Sequence, residues 1–331
     1  MHPDKTASDL LALDCAAETE RIAASLRRYL QKNRRRGLVL GLSGGIDSTV
    51  TAALAVRAVG ADRVFGLHMP ESQSEDATLI LSRSVAEWLG IPSELEDITP
   101  LLQAAGFARR YTAAARQVIP EFDDSWKSKV AIHATGGTQT FSYFSLIGQA
   151  PDGRTVTARL SLQAYLEIVA ATNFKQRMRK MLEYYHADRL NFAVAGTPNR
   201  LEYDQGFFVK NGDGSADVKP IAHLYKTQVY RLAEYLGVPQ EIRQRPPTTD
   251  TYSLPQSQDE FYFALPYHQM DLCLYGKNHG LTAEVVGTAA RLDPAVVERV
   301  WADIDRKRAT TRYLHLKPAL VDEVPEVSTL A

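Results

Sequence analysis

The chain has 331 residues, 45% of them hydrophobic, and a formal net charge of −1. That length suffices for one large domain or two modest ones around a substantial core, and the near-neutral balance argues against a nucleic-acid binder, which carries a basic excess. Two cysteines, Cys15 and Cys273, are too few for a disulfide framework, and no apolar run approaches the roughly 20 residues of a membrane helix.

In chain order, the opening "MHPDKTASDLLALDCAAETE" is acidic and lacks the charged start and apolar run of a signal peptide. A cytoplasmic protein is therefore expected, with both cysteines packed as reduced thiols. Ile22, Leu26, Tyr29 and Leu30 recur at helical spacing and predict one or two amphipathic helices over 8–33. "GLVLGL" (37–42) is short, apolar and bounded by glycine, which suits a strand buried on both faces. A helix over 48–59, a strand over 63–69, a helix over 74–90 closed by Gly90 and Pro92, and a third strand over 93–98 follow. Such alternation implies right-handed crossovers and an α/β fold, a doubly wound parallel sheet flanked by helices.

The pattern is lost over 106–158, too long a stretch for an ordinary connection. It predicts an inserted subdomain, a lid or a partly mobile segment within a single domain spanning 1–331. Helices resume over 160–187, and "NFAVAGT" (191–197) reads as another buried strand. Residues 224–237 form a helix closed by Gly237 and Pro239, 243–262 a proline-rich loop, and 267–308 further helices.

The chemistry concentrates at the join of the first strand and helix, Gly41-Leu42-Ser43-Gly44-Gly45-Ile46-Asp47-Ser48. A helix starting near Asp47 leaves its first N–H groups unpaired, and its dipole favours negative charge there. Gly44 and Gly45 remove side chains that would block a phosphate, and Ser43 and Ser48 add hydroxyl donors. Asp47 would repel a bare phosphate but suits an oxygen ligand for the Mg²⁺ that phosphates carry. The plainer reading is an ordinary strand-to-helix turn with Asp47 as cap. Neither G-x-x-x-x-G-K-[ST] nor G-x-G-x-x-G occurs here.

"SGGIDS" resembles the loop of the N-type ATP pyrophosphatases, adenine-nucleotide α-hydrolase-like proteins that cleave ATP between the α and β phosphates. The later motifs narrow the resemblance to the ammonia-dependent NAD synthetase family. These are Gly196-Thr197 to Glu202, then Gly206-Phe207-Phe208-Val209-Lys210-Asn211-Gly212-Asp213-Gly214 to Asp217, then Pro220 to Gln228. "NFKQRMRKM" (173–181) resembles the family's basic helix, and "PQSQDEF" followed by Tyr267 and Asp271 its glutamine-and-acidic segment. The resemblance covers roughly 20–102 and 160–310.

It implies ATP held by Gly41 to Ser48, Thr197, Lys226 and Thr248, and Mg²⁺ held by Asp47 and Glu202. Deamido-NAD is implied at Arg177, Lys210 and Asp217, with Arg177 clamping a carboxylate and Arg179, on another face of the helix, structural. Arg83, the backbone near His68 and Met69, and Arg306 and Lys307 are weaker candidates for ATP. For each charged side chain the plain alternative is a solvated surface group. The implied reaction is adenylation of the nicotinate carboxylate by ATP, then attack by ammonia to give NAD. Positioning and charge neutralisation would carry the rate, so no covalent nucleophile is expected. With no amidohydrolase domain and no glutaminase elbow around Cys15 or Cys273, free ammonia or ammonia from a separate protein is the expected nitrogen source. A homodimer without membrane or nucleic-acid partners is implied.

Pro198, Leu201 and "PPTTDTYSLPQ" depart from the family's commoner residues, and 106–158 has no counterpart. The insertion's aromatics Tyr111, Phe122, Trp126, Phe141, Tyr143 and Phe144 are candidates to cover the active site or a dimer surface. An amide ligase acting on another carboxylate, and a non-catalytic nucleotide-binding regulator, remain the alternatives.

Overall fold

A computed structural model describes residues 10–72, 74, 76–134, 142–246, 251–255, 262–263 and 265–328. Helix α1 (Cys15–Lys32) begins where Asp14 accepts a hydrogen bond from the Ala17 N–H at 3.0 Å, and it turns Ile22, Ala23, Leu26 and Leu30 inward. It is followed by β1 (Leu38–Gly41), α2 (Ile46–Val59), β2 (Val64–His68), α3 (Asp76–Leu89) and β3 (Ser93–Leu95). Short helices α4 (Thr99–Ala104) and α5 (Phe107–Ala115) come next. After an antiparallel insert, the 29-residue α6 (Leu162–Leu190) leads into β7 (Ala193–Val194). The four strands β3-β2-β1-β7 lie parallel in that order, Leu38 facing both Val64 and Ala193.

Period-two alternation sorts the sheet's side chains into two layers. Leu38, Leu40, Val64 and Ala193 pack with α1, α2 and α8 (Lys226–Tyr235). Val39, Leu67 and Val194 pack on the opposite side with Ile98, Leu102 and Ala187. The sheet is therefore covered on both faces, which explains why its strands read as continuous apolar runs. Two strands are shorter than the sequence pattern suggests. β3 ends at Leu95 because Pro100 stands in the first turn of α4, so Ile98 turns into the core instead of continuing the strand. Beyond β7, the Ala195 N–H donates to the Val39 carbonyl at 2.8 Å and the chain makes a single isolated bridge to Val218.

The region over 106–158 is not irregular. It holds α5 and a three-stranded antiparallel sheet, β4 (Lys127–Ala134), β5 (Ser142–Gln149) and β6 (Thr155–Arg159). Tyr111, Ile119, Phe122, Trp126, Val130 and Leu146 form a second core against Ala164, Ile168 and Ala171 of α6. Among the aromatics singled out in this stretch, Phe141 lies outside the described residues. The C-terminal part packs α10 (Tyr267–Asn278), α11 (Ala283–Ala290) and α12 (Pro294–Thr311) around α7 (Arg200–Gln205), with Leu201, Met270, Leu272 and Ile304 between them. A short α9 (Gln240–Gln244) follows α8. Among the described residues no helix is long and apolar enough to cross a membrane.

Leu146 is fully buried in the second core. Leu146→Ala is expected to cost about 2–5 kcal/mol in urea unfolding, with amide exchange accelerated in β4–β6 and unchanged in β1 and β2. Equal acceleration in both sheets would show that the insert shares one core with the parallel sheet.

Candidate functional site

The carboxyl ends of parallel strands carry the site in this architecture. Here Gly41 to Ser43, Leu67, Met69 and Ala195 to Pro198 line one cavity of about 490 Å³. Its floor is the loop between β1 and α2. Gly45 caps α2 without offering a side chain, so the helix's first N–H groups are left to a ligand. The loop is self-braced: Ser43 Oγ lies 3.1 Å from Ser48 Oγ, and Ser48 Oγ donates to the Gly45 carbonyl at 3.0 Å. Gly44 is required for two reasons. Its φ is +68°, and a Cβ there would sit 2.8 Å from the Leu81 Cβ.

Asp47, in the first turn of α2, pairs with the Nζ of Lys226, the first residue of α8. The Lys226 side chain is 2% exposed and that of Asp47 17%. Burial pulls the ammonium downward, but the charges of Asp47 and Glu202 outweigh it and hold the lysine above its ordinary value. Asn199 joins the two acids. Its side-chain oxygen accepts from the Leu201 and Glu202 N–H groups at 2.9 and 3.2 Å, its Nδ2 donates to Asp47 Oδ1 at 3.2 Å, and its own N–H donates to Glu202 Oε2 at 3.1 Å. That is a capping box at the start of α7 with one added bond to the cradle. Asp47 and Glu202, 155 positions apart in sequence, thus line the same cavity. Two carboxylates converging on one buried cation are a hard-oxygen donor set that fits a divalent ion.

Helix α6 forms the cavity's long wall. Tyr165, Val169, Thr172, Gln176, Arg179 and Glu183 share one stripe at helical spacing. The stripe includes buried ion pairs, Lys175 with Glu71 at 2.6 Å and Lys180 with Glu183 at 2.5 Å. Arg179 donates to the Met69 carbonyl at 3.1 Å, and Arg245 to Thr78 at 2.8 Å.

Of the residues singled out from sequence, Gly41, Leu42, Ser43, Gly45, Ile46, Asp47, Ser48, Thr197, Glu202 and Lys226 line this cavity, with Gly44 buttressed behind it. Thr248 lies outside the described residues. Arg177, Lys210 and Asp217 stand elsewhere. Arg177 donates to the Lys210 carbonyl at 3.3 Å, and Lys210 Nζ to the Tyr313 carbonyl at 2.7 Å. Asp217 accepts from the Val194 N–H at 2.7 Å, tying the chain to β7. Arg179 and Asp213, near two of these in sequence, line the cavity. Half-buried Asp213 accepts from the Val209 N–H at 2.7 Å, and desolvation of its carboxyl pushes it upward. Arg83 is exposed, while His68 lies buried behind the loop with Nδ1 2.5 Å from Ser82 Oγ. Lys307 pairs with Asp303 at 2.8 Å, and Arg306 with the same acid at 3.3 Å. A separate trio, Glu94, Glu96 and His186, groups three ligand-type atoms, but Arg189 already supplies its cation, donating to His186 at 2.9 Å and to Glu94 at 3.0 Å.

A glycine-lined cradle at the edge of a doubly wound sheet, with acids and a lysine converging on it, defines an α/β fold of the N-type ATP pyrophosphatase kind. The sequence model described as NAD synthase matches residues 18–121 and 150–312, and the chain belongs to that family. It is 60% identical over 320 residues to an NH(3)-dependent NAD(+) synthetase of Rhizobium meliloti, covering 97% of this chain and 96% of that one. It is 58% identical over 318 residues to the protein of the same name in Mesorhizobium japonicum, covering 96% and 100%. In fold it resembles the NH3-dependent NAD synthetase of Campylobacter jejuni (TM-score 0.61, 21% identity, 94% and 100% covered) and an NMN synthetase of Francisella tularensis (TM-score 0.63, 23% identity, 93% and 100% covered). The stretch outside the family match, 122–149, contains β4 and β5.

The start of α8 rests on Asp271, which accepts from the Lys226 and Thr227 N–H groups at 3.2 and 2.6 Å. Burial pushes its carboxyl from 3.8 up to about 6 despite those bonds. The folded state therefore holds a proton that the unfolded chain releases above about pH 4. This contribution to stability is present below that pH and is lost as pH rises through 6. The stability difference between wild type and Asp271→Asn, from urea unfolding, should fall by roughly 1 kcal/mol per pH unit between pH 4 and 6. A constant difference would contradict the assignment.

Proposed function

We propose that the chain is an ATP- and Mg²⁺-dependent ligase that converts deamido-NAD to NAD with ammonia. The observation that carries this reading is the convergence of Asp47, Glu202 and Lys226 beside the glycine cradle; the family membership supports it. The cradle N–H groups and Lys226 bind the phosphate tail of ATP, and Asp47 and Glu202 would hold the Mg²⁺. That ion, when bound, neutralises charge on the departing pyrophosphate. The nicotinate carboxylate attacks the α-phosphorus, pyrophosphate leaves, and ammonia then attacks the carbonyl, expelling AMP. The chain's residues orient the two nucleotides and exclude water, with no side chain bonded covalently to substrate.

Arg179, Lys180 and Asp213 are better situated than Arg177, Lys210 and Asp217 to meet the dinucleotide within one chain. We assign the protein to the cytoplasm, consistent with two free cysteines.

The test is NAD formation from ATP, deamido-NAD and ammonium. Wild type should turn over, while Asp47→Ala and Glu202→Ala should each fall at least about a hundredfold, the scale of losing one strong electrostatic contact. Pyrophosphate release only with other carboxylates, or nucleotide binding without release, would replace this reading. A homodimer is supported by Leu162, Leu166, Met181 and Tyr185, which are 74%, 55%, 52% and 60% exposed along one face of α6. Light scattering should give twice 36.8 kDa; a monomeric mass would remove the dimer.

A further inference from the structure

The cavity has two chemically different ends. Glu183 lies beside Gly41 and pairs with Lys180, and Arg179 and Lys226 line the same cavity. Eighteen residues earlier on α6, roughly 27 Å along the helix, the lining changes to Tyr165, Val169, Ile132, Phe144 and Tyr252. One end suits phosphates and the other flat rings, which is the polarity of a nucleotide.

Two of these ring-end residues come from β4 and β5, within the stretch outside the family match. Residues directly opposite in an antiparallel ladder project from the same face. Val130 pairs with Leu146 and Ile132 with Phe144, so all four share one face. Val130 and Leu146 are fully buried in the second core. Two residues further along each strand, the same face emerges as cavity wall. Phe144 stacks on Tyr165, ring centroids 4.1 Å apart and planes 19° from parallel, and its carbonyl accepts from the Leu160 N–H at 2.9 Å. The hairpin is tied to the chain at 251–255: the Ser128 N–H donates to Ser253 Oγ at 2.8 Å, and the Ser128 carbonyl accepts from the Leu254 N–H at 3.1 Å. Thr251 and Tyr252 line the cavity beside it. The wall is thus anchored on a core, a helix and a neighbouring segment.

We propose that Phe144, backed by Tyr165, is a specificity-determining platform on which the inserted hairpin positions the planar heterocycle of a nucleotide substrate. The proposal rests on the reading of ATP and deamido-NAD as substrates, and either could supply the ring. The experiment compares wild type with Phe144→Ala, Phe144→Leu and Phe144→Tyr, measuring KM for each nucleotide, kcat and melting temperature. Ala and Leu are expected to raise the KM of one nucleotide roughly five- to tenfold, the lower end of the effect of one lost ring stack, with kcat within about twofold and Tyr restoring wild-type KM. A shift for ATP assigns its adenine; a shift for deamido-NAD assigns one of its rings. Unchanged KM values in Phe144→Ala, or a Leu variant as good as wild type, overturn the proposal. If wild type forms no NAD, the functional reading fails on its own. Calorimetric titration with ATP and with deamido-NAD then decides the role of Phe144: unchanged affinities overturn it, and a five- to tenfold loss for one nucleotide supports it.

Discussion

The site depends on a buried ammonium held between carboxylates. Lys226 is nearly solvent-free, and removing either partner from such a group leaves an uncompensated charge that costs about 3–5 kcal/mol. A buried ion pair is seldom favourable for stability alone, because desolvation cancels most of the attraction. Its value here is preorganisation. Asp47 stands in the first turn of α2 and Lys226 opens α8, and the parallel sheet brings both helix starts to its carboxyl edge. A phosphate arriving with a divalent ion would find positive and negative groups already fixed, with little reorganisation left to do.

Asn199 sets the geometry of that arrangement. It is 1% exposed, and its amide both caps α7 and donates to Asp47. An aspartate at this position could cap the helix, but it would lose the donor and add a third carboxylate. The side-chain amide accepts from the helix start through its oxygen while donating to the acid through its nitrogen. Leu201 is buried against the C-terminal helices, so it anchors α7 rather than altering the cavity.

The cradle was legible in the sequence because its signals are local: a buried strand, two glycines and a helix start follow one another within a dozen residues. Glu202 and Lys226 were legible through motif resemblance, and no spacing rule reaches across such separations. The phase of α6 is not legible in this way. Arg177 and Arg179 differ by about 200° around the helix, and only the buried positions Ile168, Ala171, Thr172 and Lys175 fix which one turns inward. Asp213 and Asp217 present the same difficulty in a turn, where no period exists. The insert is legible as an insertion, but its strands are not, for another reason. β4 alternates, Ser128 and Val130 buried and Lys127 exposed, yet with polar residues between short apolar ones it reads as irregular chain until its antiparallel partners are known.

The central claim is that Asp47 and Glu202 act together on one divalent ion beside the nucleotide. Mn²⁺ titration followed by electron paramagnetic resonance, with an ATP analogue that cannot be cleaved between its α and β phosphates, tests it without turnover. One tightly held Mn²⁺ per nucleotide-loaded chain is predicted for wild type, weakened at least about tenfold in both Asp47→Asn and Glu202→Gln. Wild-type Mn²⁺ affinity in either variant would contradict the account.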